Sequence, residues 1–274
     1  MEGKTVVFNS EIDGYNEVVL GNLLHGSWRS LPRFCQSILR NYVGFTILYF
    51  VCSALWSLYA YRLNPNVSSP EVSKTRKNFI VKHIWQTMKA MPGYILLEGV
   101  SEYMVEQGWT RCYSAIEDVG WPMYFVYFIV YLVIVELGIY WVHRASHEVK
   151  LLYRLSHAQH HVYNSKHKVS PFAALAVDPL DGMLHTLPFI LATLLVPTHF
   201  LTHLLVLFCE GVWSINIHST IDSAEIWPLM GPSYHLVHHC RPNYNYGNYT
   251  IFMDWLFGTL RRPESAGAKN EKNM

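Results

Sequence analysis

Charge is scarce in this chain. Asp, Glu, Lys and Arg make up 15% of its 274 residues and hydrophobic residues 51%, whereas a typical soluble domain is about 25% charged. A surface so poor in charge needs a solvent other than water over part of its area. The formal net charge is +1, which leaves no broad basic footprint and excludes nucleic acid as a partner. Cysteine pairs are also missing: Cys35, Cys52, Cys112, Cys209 and Cys240 are scattered, with no C-x-x-C. They read as buried or reduced thiols, neither a disulfide framework nor a zinc knuckle. No G-x-G-x-x-G is present, so the chain is not expected to carry its own flavin or nicotinamide, and the absence of H-E-x-x-H sets a zinc hydrolase aside. Met1–Ser27 lacks the apolar stretch of a cleaved signal peptide, so membrane insertion is expected to rely on internal spans. Neither an internal repeat nor a low-complexity tract is visible.

Long apolar runs supply those spans. Val43–Tyr61 is 19 residues without a charge, and Trp121–Val142 is 22 residues with only Glu136; a helix of about 20 apolar residues crosses a hydrocarbon core. Trp121, Tyr124, Tyr140 and Trp141 flank the second run, as interfacial aromatics do. Leu180–Ile217 is broken near its middle by Pro197, which predicts a hairpin of two short spans, not one long helix. Phe79–Val105 reads either as an amphipathic interfacial helix or as a poor span, which leaves the number of spans before Trp121 and the side of the N-terminus open. Arg144, Lys150, Arg154, Lys166 and Lys168 form a basic cluster, consistent both with a positive-inside loop and with the landing site of an acidic redox protein.

Histidine is what the chain has in excess, with 15 in all. Three clusters abut the apolar runs: His143-Arg-Ala-Ser-His147, His157-Ala-Gln-His160-His161 and His235-Leu-Val-His238-His239. On a helix, residues at i, i+3 and i+4 share a face, so each cluster is expected to present its imidazoles to a single point. Imidazole suits iron, copper, nickel and zinc. Eight neutral ligands exceed the coordination of one ion and fit two with open positions. Both ends of the Leu180–Ile217 hairpin must then lie on one side of the bilayer. His218 and Asp222, four apart just past the hairpin, are two further candidate ligands, although Asp222, followed by Ser-Ala-Glu225, reads somewhat better as a solvated loop residue. His185, His199 and His203 are weaker candidates; turn or interface roles suit the last two. His25, His83 and His167 read as ordinary surface histidines. Glu136 and Asp254 are candidate carboxylates behind the ligands, orienting their rings.

At these clusters the sequence resembles the fatty-acid hydroxylase and sterol desaturase superfamily, and within it the plant Δ7-sterol C-5(6)-desaturases. The likeness runs from about Leu31 to Arg262 and includes Arg40-Asn-Tyr42, Met88-Lys-Ala-Met-Pro92, Glu136-Leu-Gly-Ile-Tyr-Trp141, Asp181-Gly182, Asn216-Ile-His218, Tyr246-Gly-Asn-Tyr249 and Asp254-Trp-Leu-Phe-Gly258. Asp178, Asp222 and Asn248 depart from the family pattern, which has histidine at such positions. The resemblance implies an all-α integral membrane protein of about four transmembrane helices with a cytosolic, helical, histidine-rich di-iron cap. It implies residence in the endoplasmic reticulum membrane, O2 as co-substrate, and electrons from NADH through cytochrome b5 and its reductase. The sterol would lose two hydrogens from carbons 5 and 6. In that scheme residues 1–120 hold the first span and the amphipathic region, 121–262 form the catalytic domain, and 263–274 are a disordered tail. A hydroxylase of the same superfamily shares the motifs. A membrane metal transporter would instead place its ligands at the bilayer midplane, on broken helices.

Overall fold

The computed structural model describes residues 2–63, 70–162, 169–219 and 226–263. Helices dominate them: α1 (Glu2–Leu23), α2 (Arg33–Leu63), α3 (Pro70–Glu106), α4 (Trp121–Glu148), the single turn α5 (Lys150–Leu152), α6 (Pro179–Leu195), α7 (Phe200–Ile217), α8 (Pro232–Cys240) and α9 (Phe252–Leu256). Among the described residues three helices are long and apolar enough to cross a membrane, Arg33–Ala60, Trp121–Glu148 and Phe200–Ile217, and α6 is a shorter apolar helix of 17 residues. Their outward faces are apolar as well. Val51, Leu55 and Leu58 on α2, Phe125, Ile129 and Val133 on α4, and Leu205 and Phe208 on α7 are all exposed, a surface that lipid, not water, would cover.

The hairpin expected from Pro197 is present. Asp178 caps α6 by accepting from the Leu180 amide at 3.0 Å, with Pro179 in the first helical position, where its missing N–H costs nothing. The helix runs away from the histidine motifs and stops at Leu195. A two-residue parallel bridge then pairs Cys112–Tyr113 with Thr198–His199, and His199 caps α7, taking the Thr202 amide on its Nδ1. Tyr131, Val135 and Ile139 of α4 interlock with Phe189 and Ala192 of α6 and Val206 and Leu207 of α7.

Two spans differ from expectation. The helix containing Val43–Tyr61 begins ten residues earlier, at Arg33, because Arg40 is not a water-facing charge. It forms a buried ion pair with Glu102 of α3 and also donates to Asn16 at 3.0 Å, while Asn41 donates to Glu102 at 2.8 Å. The segment Phe79–Val105 belongs to one continuous helix, α3, packed against α2 and α6 with His83, Thr87, Glu98 and Glu102 buried. His83 is thus no surface histidine: its Nδ1 lies 2.9 Å from Ser170 Oγ. His25 is exposed as expected. His167, Lys166, Lys168, Asp222 and the polar tail from residue 264 lie outside the described residues.

Removing one member of a buried ion pair leaves a desolvated charge and costs about 3–5 kcal/mol. Glu102→Ala is therefore expected to lower the unfolding temperature of the detergent-solubilised protein sharply. Arg40→Met in the same chain should recover most of the loss, and a thermal melt of the two variants checks it.

Candidate metal centre

Each histidine reaches the site from a different piece of backbone. His143 and His147 stand one turn apart near the end of α4. After α5 the chain is irregular, widening to a π turn over Tyr153–His157 and tightening to a 3-10 turn over His160–Val162; π turns inside helical segments are common at functional sites. His218 sits at the C-terminal end of α7, and His235, His238 and His239 line α8.

The side-chain nitrogens gather in two groups, one of His143, His147, His157, His161 and His238, the other of His160, His218, His235 and His239, each with its ligand atoms within 4.8 Å of one another. The groups abut: the His161 and His239 ring centroids are 5.0 Å apart. The expectation that each cluster aims at a single point is corrected here. Both H-x-x-H-H motifs straddle the two groups, His157 and His161 entering the first and His160 the second, His235 and His239 entering the second and His238 the first. On α8 helical geometry gives the reason: positions i and i+4 lie about 40° apart around the axis, whereas i+3 and i+4 diverge by about 100°; His157, His160 and His161 are divided within the π and 3-10 turns they occupy. Adjacent histidines therefore serve different points. His218 joins as a ninth member of the constellation.

The residues fit metal ions for a reason visible in the hydrogen bonds. His143 Nδ1 donates to the Tyr246 carbonyl at 2.9 Å, His218 Nδ1 to the Ser214 carbonyl at 2.7 Å, and His238 Nδ1 to the Tyr244 carbonyl at 2.7 Å. His157 Nδ1 donates to the Asp181 carboxylate at 2.9 Å. These partners fix the tautomer, so each Nε2 carries a lone pair and no proton. In the first group His161 Nε2 lies 3.1 Å from both His157 Nε2 and His238 Nε2, two acceptors that one N–H cannot serve together. In the second, His218 Nε2 faces His160, His235 and His239 Nε2 at 3.3, 3.0 and 3.4 Å. Such crowded lone pairs repel unless a cation sits among them. With metal–nitrogen bonds of about 2.1 Å, ligand atoms on one ion are separated by about 3.0 Å in octahedral and about 3.4 Å in tetrahedral geometry. Buried Nε2 atoms of His143 and His147 have no hydrogen-bond partner and complete the first ring of donors.

Protonation agrees. Burial, reinforced by neighbouring imidazoles, drives His157, His160, His235, His238 and His239 well below the ordinary imidazole range, His161 to about 3, and burial alone takes His218 to about 4. All are neutral near pH 7, the form that binds metal.

The carboxylate that orients a ligand ring is Asp181, a role the sequence did not reveal. It is 1% exposed and meets His157 across 24 residues of chain. Among the described residues, neither Glu136 nor Asp254 hydrogen-bonds an imidazole. Glu136 accepts from the Tyr249 and Thr250 amides and the Thr250 hydroxyl. Asp254 accepts from the Tyr246 and Gly247 amides at 2.8 Å each and from Thr259. Together they pin the 246–250 loop, and that loop supplies the carbonyl for His143. His185 donates to the Asp181 carbonyl at 2.9 Å and belongs to neither group. His199 and His203 lie at the far end of the α6–α7 hairpin, bonded to Ser114 and Tyr131. Losing the partner of a ligand histidine typically costs 10- to 100-fold in metal affinity or activity, so Asp181→Ala is expected to lose about that much, and Asp181→Asn, which still accepts from Nδ1, clearly less. Turnover and metal titration of both variants check it.

Beside the two groups lies a cavity of about 150 Å³, bounded by α2, α3, α4, α6 and α7. His143, His160, His218 and His235 form its polar end, and Phe45, Ile139, Leu175, Phe189 and Leu207 its apolar walls. The arrangement suits a long, mostly hydrophobic ligand held with one region against the histidines.

The family model described as fatty acid hydroxylase matches residues 128–259. A Delta(7)-sterol-C5(6)-desaturase of Nicotiana tabacum is 47% identical over 98% of this chain and 99% of its own length. Lathosterol oxidase of Rattus norvegicus is 31% identical over 85% of this chain and 78% of its own. No solved structure matches the chain significantly. With 47% identity over nearly its whole length and the family's histidine motifs drawn together at one cavity, this chain belongs to the fatty acid hydroxylase family, with the Δ7-sterol C5(6)-desaturases.

Proposed function

We propose that this protein is a membrane-bound non-haem di-iron oxygenase that introduces the C-5(6) double bond into Δ7-sterols. The observation that carries the reading is the placement of two all-nitrogen donor groups at the polar end of an apolar cavity. Removing hydrogen from carbon in this way needs an oxidant stronger than any side chain. Zinc has no redox chemistry, and imidazole ligands suit iron. Iron bound there would supply the activation of O2, and the chain itself does the rest. The histidine Nε2 atoms hold the ions, Asp181 and three carbonyls fix the rings, and the cavity walls position the sterol and exclude water. Overall, two hydrogens leave carbons 5 and 6, two electrons and two protons enter, and both oxygen atoms depart as water.

With no nicotinamide or flavin motif in the sequence, the electrons come from NADH through cytochrome b5 and its reductase, which approach the basic rim near Arg144, Lys150 and Arg154. The enzyme resides in the endoplasmic reticulum membrane with the histidines on the cytosolic side, reached by α2, α4 and the α6–α7 hairpin as four spans. Residues 121–262 form the catalytic domain. The test is expression in a yeast strain lacking its own C-5 desaturase, with sterols read by mass spectrometry. Δ5,7-sterols are the expected product. Hydroxylated lipid in their place would assign the chain to the hydroxylases that share its family, and unchanged sterols with bound metal would favour a metal carrier.

A further inference from the structure

The polar groups along the cavity wall are nearly all engaged. Glu210 accepts from Asn248 at 2.8 Å and from Ser214 at 3.3 Å. Asp181 is held by His157, His185 donates to the Asp181 carbonyl, and Thr186 donates to the Gly182 carbonyl at 2.9 Å. Two groups on α3 differ. Tyr94 lines the cavity and is 8% exposed, yet its buried hydroxyl has no hydrogen-bond partner. Glu98, one turn further on the same face, lines the same cavity at 7% exposed and makes no side-chain hydrogen bond among the described residues. Burial, aided by nearby Glu102 and opposed by Arg40, pushes its carboxyl up to about 8, so near pH 7 it is mostly protonated and can both donate and accept.

A phenol and a carboxyl left unpaired in an apolar wall are costly unless a ligand completes them. Their position is close to the chemistry. The Tyr94 ring packs so tightly on Gly182 that a Cβ there would fall 2.4 Å from it, and the preceding residue, Asp181, holds His157. Glu98 lies roughly 6 Å further along α3.

We propose that Tyr94 and Glu98 recognise the single hydroxyl of the sterol and so set which ring carbons lie against the histidines. The inference rests on the desaturase reading. A sterol's hydroxyl is on carbon 3, in the ring that contains carbon 5, so a hydroxyl held on the α3 wall of the cavity that His143, His160, His218 and His235 also line turns that ring, with carbons 5 and 6, toward them. A site built to hydrogen-bond a substrate hydroxyl rejects analogues lacking it far more strongly than a purely apolar pocket does.

The test compares a Δ7-sterol with its 3-deoxy analogue on the metal-loaded enzyme in membranes, by kcat/KM and by equilibrium binding of each labelled compound. The parent protein should prefer the free sterol by about 100-fold or more. Glu98→Leu should lose most of that preference by weakening the sterol and sparing the analogue, and Tyr94→Phe should lose about tenfold. Glu98→Gln, which can still donate and accept, should retain most of it. A parent protein indifferent to the hydroxyl would overturn the proposal, as would a Glu98→Leu variant that keeps the preference or that loses both ligands equally. Binding separates this inference from the reading beneath it: if no Δ5,7-diene forms in the parent, the desaturase reading fails, while hydroxyl-dependent binding lost in Glu98→Leu would still uphold the recognition site.

Discussion

Alanine at His239 is expected to abolish turnover and to reduce bound iron from about two ions per chain to about one. The residue belongs to the group of His160, His218, His235 and His239, and its loss opens that group while leaving all five nitrogens of the other in place. His147→Ala should give the mirror result, losing the ion of the first group and sparing the second. Elemental analysis of the two purified variants, with a double variant as the metal-poor reference, checks the assignment. Both proteins should still insert into membranes, since neither side chain contributes to the apolar faces of the spans. Near-normal activity in either variant would contradict the shared centre, and loss of both ions from each would contradict the division into two groups.

Gly247→Ala is expected to be nearly as damaging, although the residue binds no metal. A Cβ at this position would fall 2.0 Å from the Thr250 carbonyl oxygen and 2.9 Å from Asp254 Oδ2. The first contact is with backbone and cannot be relieved by a side-chain rotation, so the 246–250 loop must move. The Tyr246 carbonyl moves with it, and His143 loses the acceptor that fixes its tautomer. Activity should fall by about 100-fold, the upper end of what losing such a partner costs, with weakened binding at the His143 group. Gly44→Ala, where a Cβ meets nothing within 4 Å, should match the parent. Iron titration alongside turnover separates the two variants.

The convergence of the histidines is legible in the sequence because spacing carries the signal: three motifs with i,i+4 pairs stand beside apolar runs. Their division between two ions was not readable. For His157, His160 and His161 it depends on the π and 3-10 turns between Tyr153 and Val162, which no propensity announces. The Pro197 hairpin was legible because this proline falls near the middle of an uncharged 27-residue run, Met183–Cys209, whereas Pro188 of the same run is accommodated inside α6. The early start of α2 was not, since Arg40 looks like a boundary until its partner, Glu102, is found 62 residues away. Asp181 was hidden in the same way. An acidic residue in the first turn of a helix is ordinary helix-dipole chemistry, and only the fold shows His157 against it. Glu136 and Asp254, read as carboxylates that orient ligand rings, instead grip backbone amides of a loop, an arrangement that spacing between side chains does not encode.

The sharing of every H-x-x-H-H motif between both groups has a consequence for how the protein is made. A chain emerging from the ribosome completes His143 through His161 early, yet the first group still lacks His238, and the second lacks His218, His235 and His239. If each group binds an ion, neither ion could be fully held until α7 has returned and α8 has been synthesised, some 80 residues after the second motif. Metallation would then be a late event, acting as a latch on a bundle already inserted. A nascent chain truncated before Pro232 would carry six of the nine histidines but retain neither ion firmly.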